Sequence, residues 1–175
     1  MKKNILVIAV FVVAVLFSND LTAQKFPGLD ASPADKALYR TKADGVKTKI
    51  VYSRPQLKGR TVASLVKDGK MWRLGANEAT EVTFYNDVTF GGKAVKAGTY
   101  AMFAIPGKSE WTIILNKDLN VWGNYQYKKD QDVVRVKANV SKGTDAVEAF
   151  AITYSKTGDI HLGWGTTVVT ISVKG

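Results

Sequence analysis

Residues 80–105 read TEVTFYNDVTFGGKAVKAGTYAMFAI, and their period decides the fold. Residues 80–85 alternate, with Thr80, Val82 and Phe84 on one side and Glu81, Thr83 and Tyr85 on the other, the pattern of a half-buried strand. Val88-Thr89-Phe90 and Lys93-Ala94-Val95 flank Gly91-Gly92, a two-residue link tolerating the positive φ that a tight hairpin needs. Ala97-Gly98 then turns the chain into a strand over 99–105, stopped by Pro106-Gly107. One short stretch thus holds four strands with glycine-, proline- or Asn/Asp-marked breaks between them.

The same grammar continues in both directions. Upstream, Val46, Thr48, Ile50 and Tyr52 alternate with Lys47, Lys49, Val51 and Ser53, ending at Arg54-Pro55, where proline cannot donate to a central ladder. Downstream, strands are expected over 111–115, over 134–140 with Val134, Val136, Ala138 and Val140 on one face, over 150–154, 160–164 and 167–173. These nine or ten short strands predict an all-β, antiparallel sandwich, with jelly-roll-like and Ig-like topologies both open. Residues 24–45 are expected to be irregular, apart from a short N-terminal helix. There Ser32-Pro33-Ala34-Asp35 offers a capping serine, a first-turn proline and an early acid, and the helix would run through about Leu38. The β domain is then expected over 46–175 as one unit, with no repeat, low-complexity linker or composition shift to divide it.

The N-terminus carries a different signal. Lys2 and Lys3 precede an apolar run over 5–17, too short for a confident membrane span and of the length of a signal-peptide core. The expectation is a signal peptide over 1–23, cut after Ala23, and an exported protein in the periplasm or outside the cell. Contact with membrane would occur only through that segment if it stays uncleaved. No cysteine follows the run to carry a lipid.

Composition narrows the chemistry. The 175 residues carry 25 Lys and Arg against 15 Asp and Glu, no cysteine and one histidine. Disulfides, thiolate metal sites, Cys nucleophiles and multi-histidine metal sites are excluded, and no metal or cofactor is expected. Removing 1–23 takes away Lys2, Lys3 and Asp20 and leaves 23 basic against 14 acidic residues, a net charge of +9. A positive exported protein suggests an anionic partner, but the lysines are scattered, as on a solvated surface that discourages strand-edge aggregation. Nucleic acid is not expected, because the clustered basic stripe it requires is missing.

Three groups of residues, in order, give the chain a family likeness. They are Tyr52-Ser53-Arg54-Pro55 with Lys58-Gly59-Arg60, then Trp72-Arg73-Leu74-Gly75-Ala76-Asn77-Glu78-Ala79-Thr80, and then Ala97-Gly98-Thr99-Tyr100 with Ile105-Pro106-Gly107, Trp111 to Asn116 and Trp122-Gly123. The chain resembles, from about Ser32 to its C-terminus, the bacterial family catalogued as domain of unknown function 2911. The resemblance implies an exported single-domain β protein and no particular activity.

Candidate site residues follow from side-chain chemistry. Arginine presents a planar fork of donors suited to carboxylate, phosphate or sulfate, which singles out Arg54, Arg60 and Arg73, with Arg135 also beside a distinctive segment. The structural alternative is that Arg54 or Arg73 pairs with Glu78 within the sandwich. Gly75-Ala76-Asn77-Glu78 reads as a rim loop in which small residues allow close backbone packing. Asn77 can donate and accept there, and Glu78 can accept or serve as a weak catalytic candidate, a general acid or base; a plain structural turn is the alternative. A glycosidase would need a second carboxylate opposite Glu78, and the spacing of Glu110, Asp130 and Asp132 does not place one. Asp130-Gln131-Asp132 lacks the rest of a calcium loop, and His161, within a strand, reads as structural. Trp111 reads as core, Trp72 as a binding aromatic, and residues 122–127, WGNYQY, as a loop lining a cleft with Trp122 and Tyr127 as apolar walls. The leading expectation is a non-catalytic binding module for a small-molecule or glycan-like ligand, anionic ones included. A hydrolase using Glu78 and a structural envelope module binding a partner protein through a strand edge are the alternatives.

Overall fold

The computed structural model describes residues 24–175; the expected signal peptide, residues 1–23, lies outside them. Ten strands form in chain order: β1 (Ala34–Thr41), β2 (Gly45–Ser53), β3 (Thr80–Phe84), β4 (Val88–Phe90), β5 (Lys93–Val95), β6 (Gly98–Ile105), β7 (Glu110–Asn116), β8 (Asp132–Tyr154), β9 (Ile160–Ile171) and β10 (Val173–Lys174). The single α-helical turn among the described residues, α1 (Val62–Leu65), begins at Thr61, whose hydroxyl accepts from the Ser64 amide. The protein is therefore an all-β, antiparallel, sandwich-like domain. A seven-stranded sheet runs β1-β2-β3-β6-β7-β8-β9, and a three-stranded sheet runs β10-β4-β5.

The short N-terminal helix expected over Ser32 to Leu38 is not there; β1 occupies that stretch and pairs with β2, Ala37 opposite Ile50. Asp35, Ala37 and Tyr39 alternate with Lys36, Leu38 and Arg40, so the segment has the period of a strand, and Pro33 sits just before it, where a missing N–H is harmless. The β unit accordingly begins at Ala34 and not at residue 46. Two pairs of expected strands also merge. Residues 134–140 and 150–154 belong to one 23-residue strand, β8, and residues 160–164 and most of 167–173 to β9.

The long strand gives the sheet its curl. The first half of β8 pairs with β7 and the second half with β9, with register irregularities between Lys142 and Ala151. That second half turns back against the end of β2: Phe150 N–H donates to Pro55 O and Leu57 N–H to Glu148 O. The walls of the curled sheet then enclose one core in which Ile50, Val82, Met102 and Ile113 meet Phe150, Ile152, Leu162 and Trp164, while Phe90 and Val95 enter from the small sheet. Trp72 lies at the centre of an aromatic group, stacked on Trp164 at 5.6 Å and edge-on to Phe150 and Trp111.

The outer face of β3, β6 and β7 is covered as well. Ala79, Ala101, Phe103, Ile114 and Val121 form a second cluster beneath the segment 117–131, with Tyr127 packed against it. Cover on both faces is why β6 reads Ala-Met-Phe-Ala without alternation: all four residues are buried. The lone histidine, His161, lies within β9 with its Nδ1 2.8 Å from Thr170 Oγ1.

Candidate functional site

Two loops meet at the rim of the outer face. The first, residues 73–80, closes on Thr80, whose N–H donates to Arg73 O and whose hydroxyl donates to Leu74 O at 2.6 Å. Gly75 lets it press on β2: a Cβ there would stand 3.0 Å from Ser53 O, the close approach that its small side chain suggested. The second loop, residues 117–131, crosses the outer cluster. The two are joined as a short ladder, since Ala79 N–H donates to Val121 O and Gly123 N–H to Asn77 O. This pattern makes Glu78 and Trp122 a non-hydrogen-bonded antiparallel pair, the kind whose side chains lie closest, with Cα atoms about 4.5 Å apart. Ala79 and Val121 turn inward and are buried, which sends Glu78 and Trp122 outward together.

These loops concentrate backbone strain. Of four non-glycine residues with positive φ among the described residues, Leu74, Asn77 and Asn120 lie here, at 53°, 59° and 56°. Such conformations persist where surrounding contacts over-determine them, and they cluster at sites of function. For Leu74 the constraint is visible, as its side chain is fully buried. Asn77 Nδ2 donates to Asp30 Oδ1; the Ser32 amide and this contact together hold the Asp30 carboxyl below the usual carboxylate range.

Glu78 opens onto a cleft of about 310 Å³ that also takes in Val51 and Ser53 from β2, Glu81 from β3 and Asn120. Glu81 is fixed there by the Asn120 amide, which donates to its Oε1 at 2.7 Å. Trp122 is 58% exposed and Tyr125 83% exposed. Gly123 brings Tyr125 and Arg73 together: a Cβ there would lie 2.9 Å from the tyrosine ring and 3.8 Å from Arg73 Nη1. Arg73 Nε is buried with no hydrogen-bond partner among the described residues.

The expected residues divide into two groups. Asn77, Glu78 and Trp122 converge on this rim, and Arg73 reaches its margin. Arg54 does not pair with Glu78. Its Nη1 holds Asp35 at 3.1 Å and its Nε donates to Phe150 O, tying β1 to the second half of β8. Arg60 donates to the carbonyls of Leu57 and Gln56 and stiffens its own turn. Trp72 faces the core, its Nε1 donating to Gly75 O. Tyr127 lies away from the Glu78 cleft and lines, with Tyr125, a separate open groove over residues 117–128. Its hydroxyl lies 2.7 Å and 2.8 Å from the Asp132 oxygens and accepts from Arg135, while Asn116 Nδ2 donates to the same carboxylate. Burial, then the Asp132 carboxylate, push the Tyr127 phenol up to about 12. This cluster clamps the 117–131 loop that carries Trp122.

Sequence reasoning missed Glu81 and Asn120, while Tyr125 falls within the 122–127 loop it expected to line a cleft. Glu81 was signalled by the alternation of β3, which places it on the outward face three residues after Glu78. No group of three or more acids, histidines or cysteines able to hold a metal occurs among the described residues.

The fold and its rim define an all-β domain in which a cleft lined by Glu78 and Glu81 lies beside the exposed Trp122. The family model for DUF2911, a protein of unknown function, matches residues 32–173, and the chain belongs to that family. No curated protein matches the chain, and no solved structure does.

Proposed function

We propose that this protein is an exported, non-catalytic binding module for a neutral, glycan-like ligand held at the Glu78–Trp122 rim. The observation that carries the proposal is the outward pairing of Trp122 and Glu78 on strained, clamped loops at the lip of a 310 Å³ cleft. An indole offers a flat apolar surface to the C–H face of a sugar, and carboxylates accept from its hydroxyls. Glu78, Glu81 and Asn77 provide those polar contacts. A neutral ligand is favoured over an anionic one because Arg54 and Arg60 are committed to contacts within the chain. Export follows from residues 1–23, with the periplasm or the cell exterior as destination.

The test is a panel of neutral and acidic oligosaccharides scored by thermal shift and acrylamide quenching. Trp122 is the one exposed tryptophan of the four, so a bound sugar should shield it selectively. Trp122→Ala should reduce affinity about tenfold or more with an unchanged melting point in the free protein. A sugar that binds equally well to Trp122→Ala would place its site elsewhere.

The presence of two carboxylates in one cleft, Glu78 and Glu81, favours a second reading, a glycoside hydrolase with Glu78 as acid or base. Turnover that Glu78→Gln abolishes while binding persists would select it over the non-catalytic one.

A further inference from the structure

The loop that carries Trp122 borders two hollows. One is the Glu78 cleft, which Asn120 lines; the other is the open groove over residues 117–128, a space of about 720 Å³ lined by Leu119, Val121 and Tyr125. Val121 and Trp122 are neighbours in the short ladder with residues 78–79, so their side chains leave the chain on opposite sides. Trp122 takes the Glu78 side, and Val121 and Tyr125 take the groove.

Tyr125 is 83% exposed, yet its turn is tied down. Asn124 Nδ2 donates to Met71 O at 2.9 Å, the Tyr127 amide donates to Asn124 O, and the Tyr127 hydroxyl is clamped between Asp132 and Arg135. Gly123, at φ 67°, lets the Tyr125 ring lie back over it, where a Cβ would stand 2.9 Å from the ring. A ring that buries so little of its surface contributes little to folding, and aromatic area presented on a fixed turn is the material of binding surfaces. Beside Gly123, the link between the two aromatic residues, sits Arg73. Its Nε is buried with no hydrogen-bond partner, and none of the five ion pairs among the described residues uses it. A guanidinium without acceptors is costly inside a fold, and an acceptor brought by a ligand relieves that cost.

Given the glycan reading of the Glu78–Trp122 rim, on which this rests, we propose that the ligand is a chain of neutral sugar units and not a single sugar. The chain lies on Trp122, passes Arg73 and continues over Tyr125 into the groove. Three residues span at most about 11 Å, so one short oligosaccharide reaches both rings. Arg73 donates to its hydroxyls at the crossing. In the groove Leu119 and Val121 offer apolar surface and Gln126 an amide, while Lys128 is countered by Asp118 at 3.5 Å, which suits an uncharged guest.

The probes are β-1,4-linked glucose and N-acetylglucosamine oligomers of two, four and six units, titrated calorimetrically against the purified protein. Affinity should rise about tenfold or more from two units to six. Tyr125→Ala should cancel that gain and return the six-unit chain to the affinity of the two-unit one, while Tyr125→Trp, which restores a flat ring, should retain it. Amide exchange should slow over 123–126 with six units and not with two. The proposal is overturned if affinity is the same at every length, if Tyr125→Ala weakens short and long chains equally or not at all, or if protection by the six-unit chain stops at Trp122. Binding at no length, or binding that Trp122→Ala leaves untouched, would bring down the glycan reading itself and the longer site with it.

Discussion

Replacing Tyr127 by phenylalanine removes one oxygen from the clamp under the rim and leaves the ring packed edge-on to Phe103 at 5.2 Å. The lost oxygen donates to Asp132, a carboxylate whose side chain is 11% exposed and which keeps Arg135 Nε at 2.7 Å and Asn116. A hydrogen bond to a charged group contributes about 1.5–3 kcal/mol, and partial exposure of the phenol places this one at about 1.5 kcal/mol near pH 8. The pH dependence has a definite sign. The folded phenol titrates at about 12, above the usual tyrosine value of about 10. Its contribution is therefore complete below the unfolded value and is lost as pH rises through 10 toward 12. That displacement corresponds to at most about 2.7 kcal/mol, and solvent screening around a part-exposed ring brings it to about 1.

Urea unfolding followed by tryptophan fluorescence at pH 8 and pH 11 measures both quantities. Wild type should exceed Tyr127→Phe by about 1.5 kcal/mol at pH 8, and the gap should shrink to well under 1 kcal/mol at pH 11. Tyr52 and Tyr154, also pushed up by burial, titrate in both proteins and cancel in the difference. Amide exchange over 119–126 should accelerate in the variant if the clamp holds the Trp122 loop. A gap that is zero at pH 8, or one that stays constant or widens at pH 11, would refute the argument.

Three further outcomes are expected. Asp159, held below the usual carboxylate range first by the Val173 amide and then by neighbouring hydroxyls, stabilises the fold above its unfolded value near 4. Asp159→Asn should therefore cost about 1 kcal/mol or less at pH 7, a penalty that shrinks as pH falls below the unfolded value and through the lowered folded one; a penalty that does not shrink on acidification would contradict this. Gly91 has φ 53° and a Cβ there would stand 2.6 Å from Val136 Cβ, so Gly91→Ala should cost about 2–4 kcal/mol in urea unfolding, through strain and overpacking together. Trp72→Ala should cost about 3–5 kcal/mol, whereas Trp122→Ala should stay within about 0.5 kcal/mol of wild type; similar losses for the two would mean that Trp122 is packed.

The strands were legible because alternation survives in a single sequence: Thr48, Ile50 and Tyr52, or Thr80, Val82 and Phe84, are buried in the structure as their period required. The misread helix shows where local chemistry competes with period. Ser32, Pro33 and Asp35 suit a helix start, but Asp35 pairs with Arg54, and Ala37 packs in the core opposite Ile50. The merging of two expected strands into β8 was not legible, since residues 141–149 lack alternation and draw their order from β9 and from residues 55–57. Of the candidate site, Asn77, Glu78 and Trp122 could be singled out because their side chains can hydrogen-bond or stack, and the pairing of their two loops brings them to one rim. The partners of the arginines could not, since Arg54 meets Phe150 96 residues away, a contact set by the curl of the sheet. The unalternating Ala-Met-Phe-Ala of β6 was the overlooked clue that residues 117–131 lie over the sheet as cover.

That one strand serves both walls also fixes an order of events. As the chain emerges from its N-terminus, β1 to β7 can pair while the apolar side of their sheet, with Ile50, Val82, Met102 and Ile113, still has no lid. The lid is Phe150, Ile152, Leu162 and Trp164, all within the last 26 residues of the 175. A nascent chain of this protein stays unfinished, and threadable, until almost its entire length has been released. This timing would suit the export proposed above, in which the chain passes through a membrane channel before it folds.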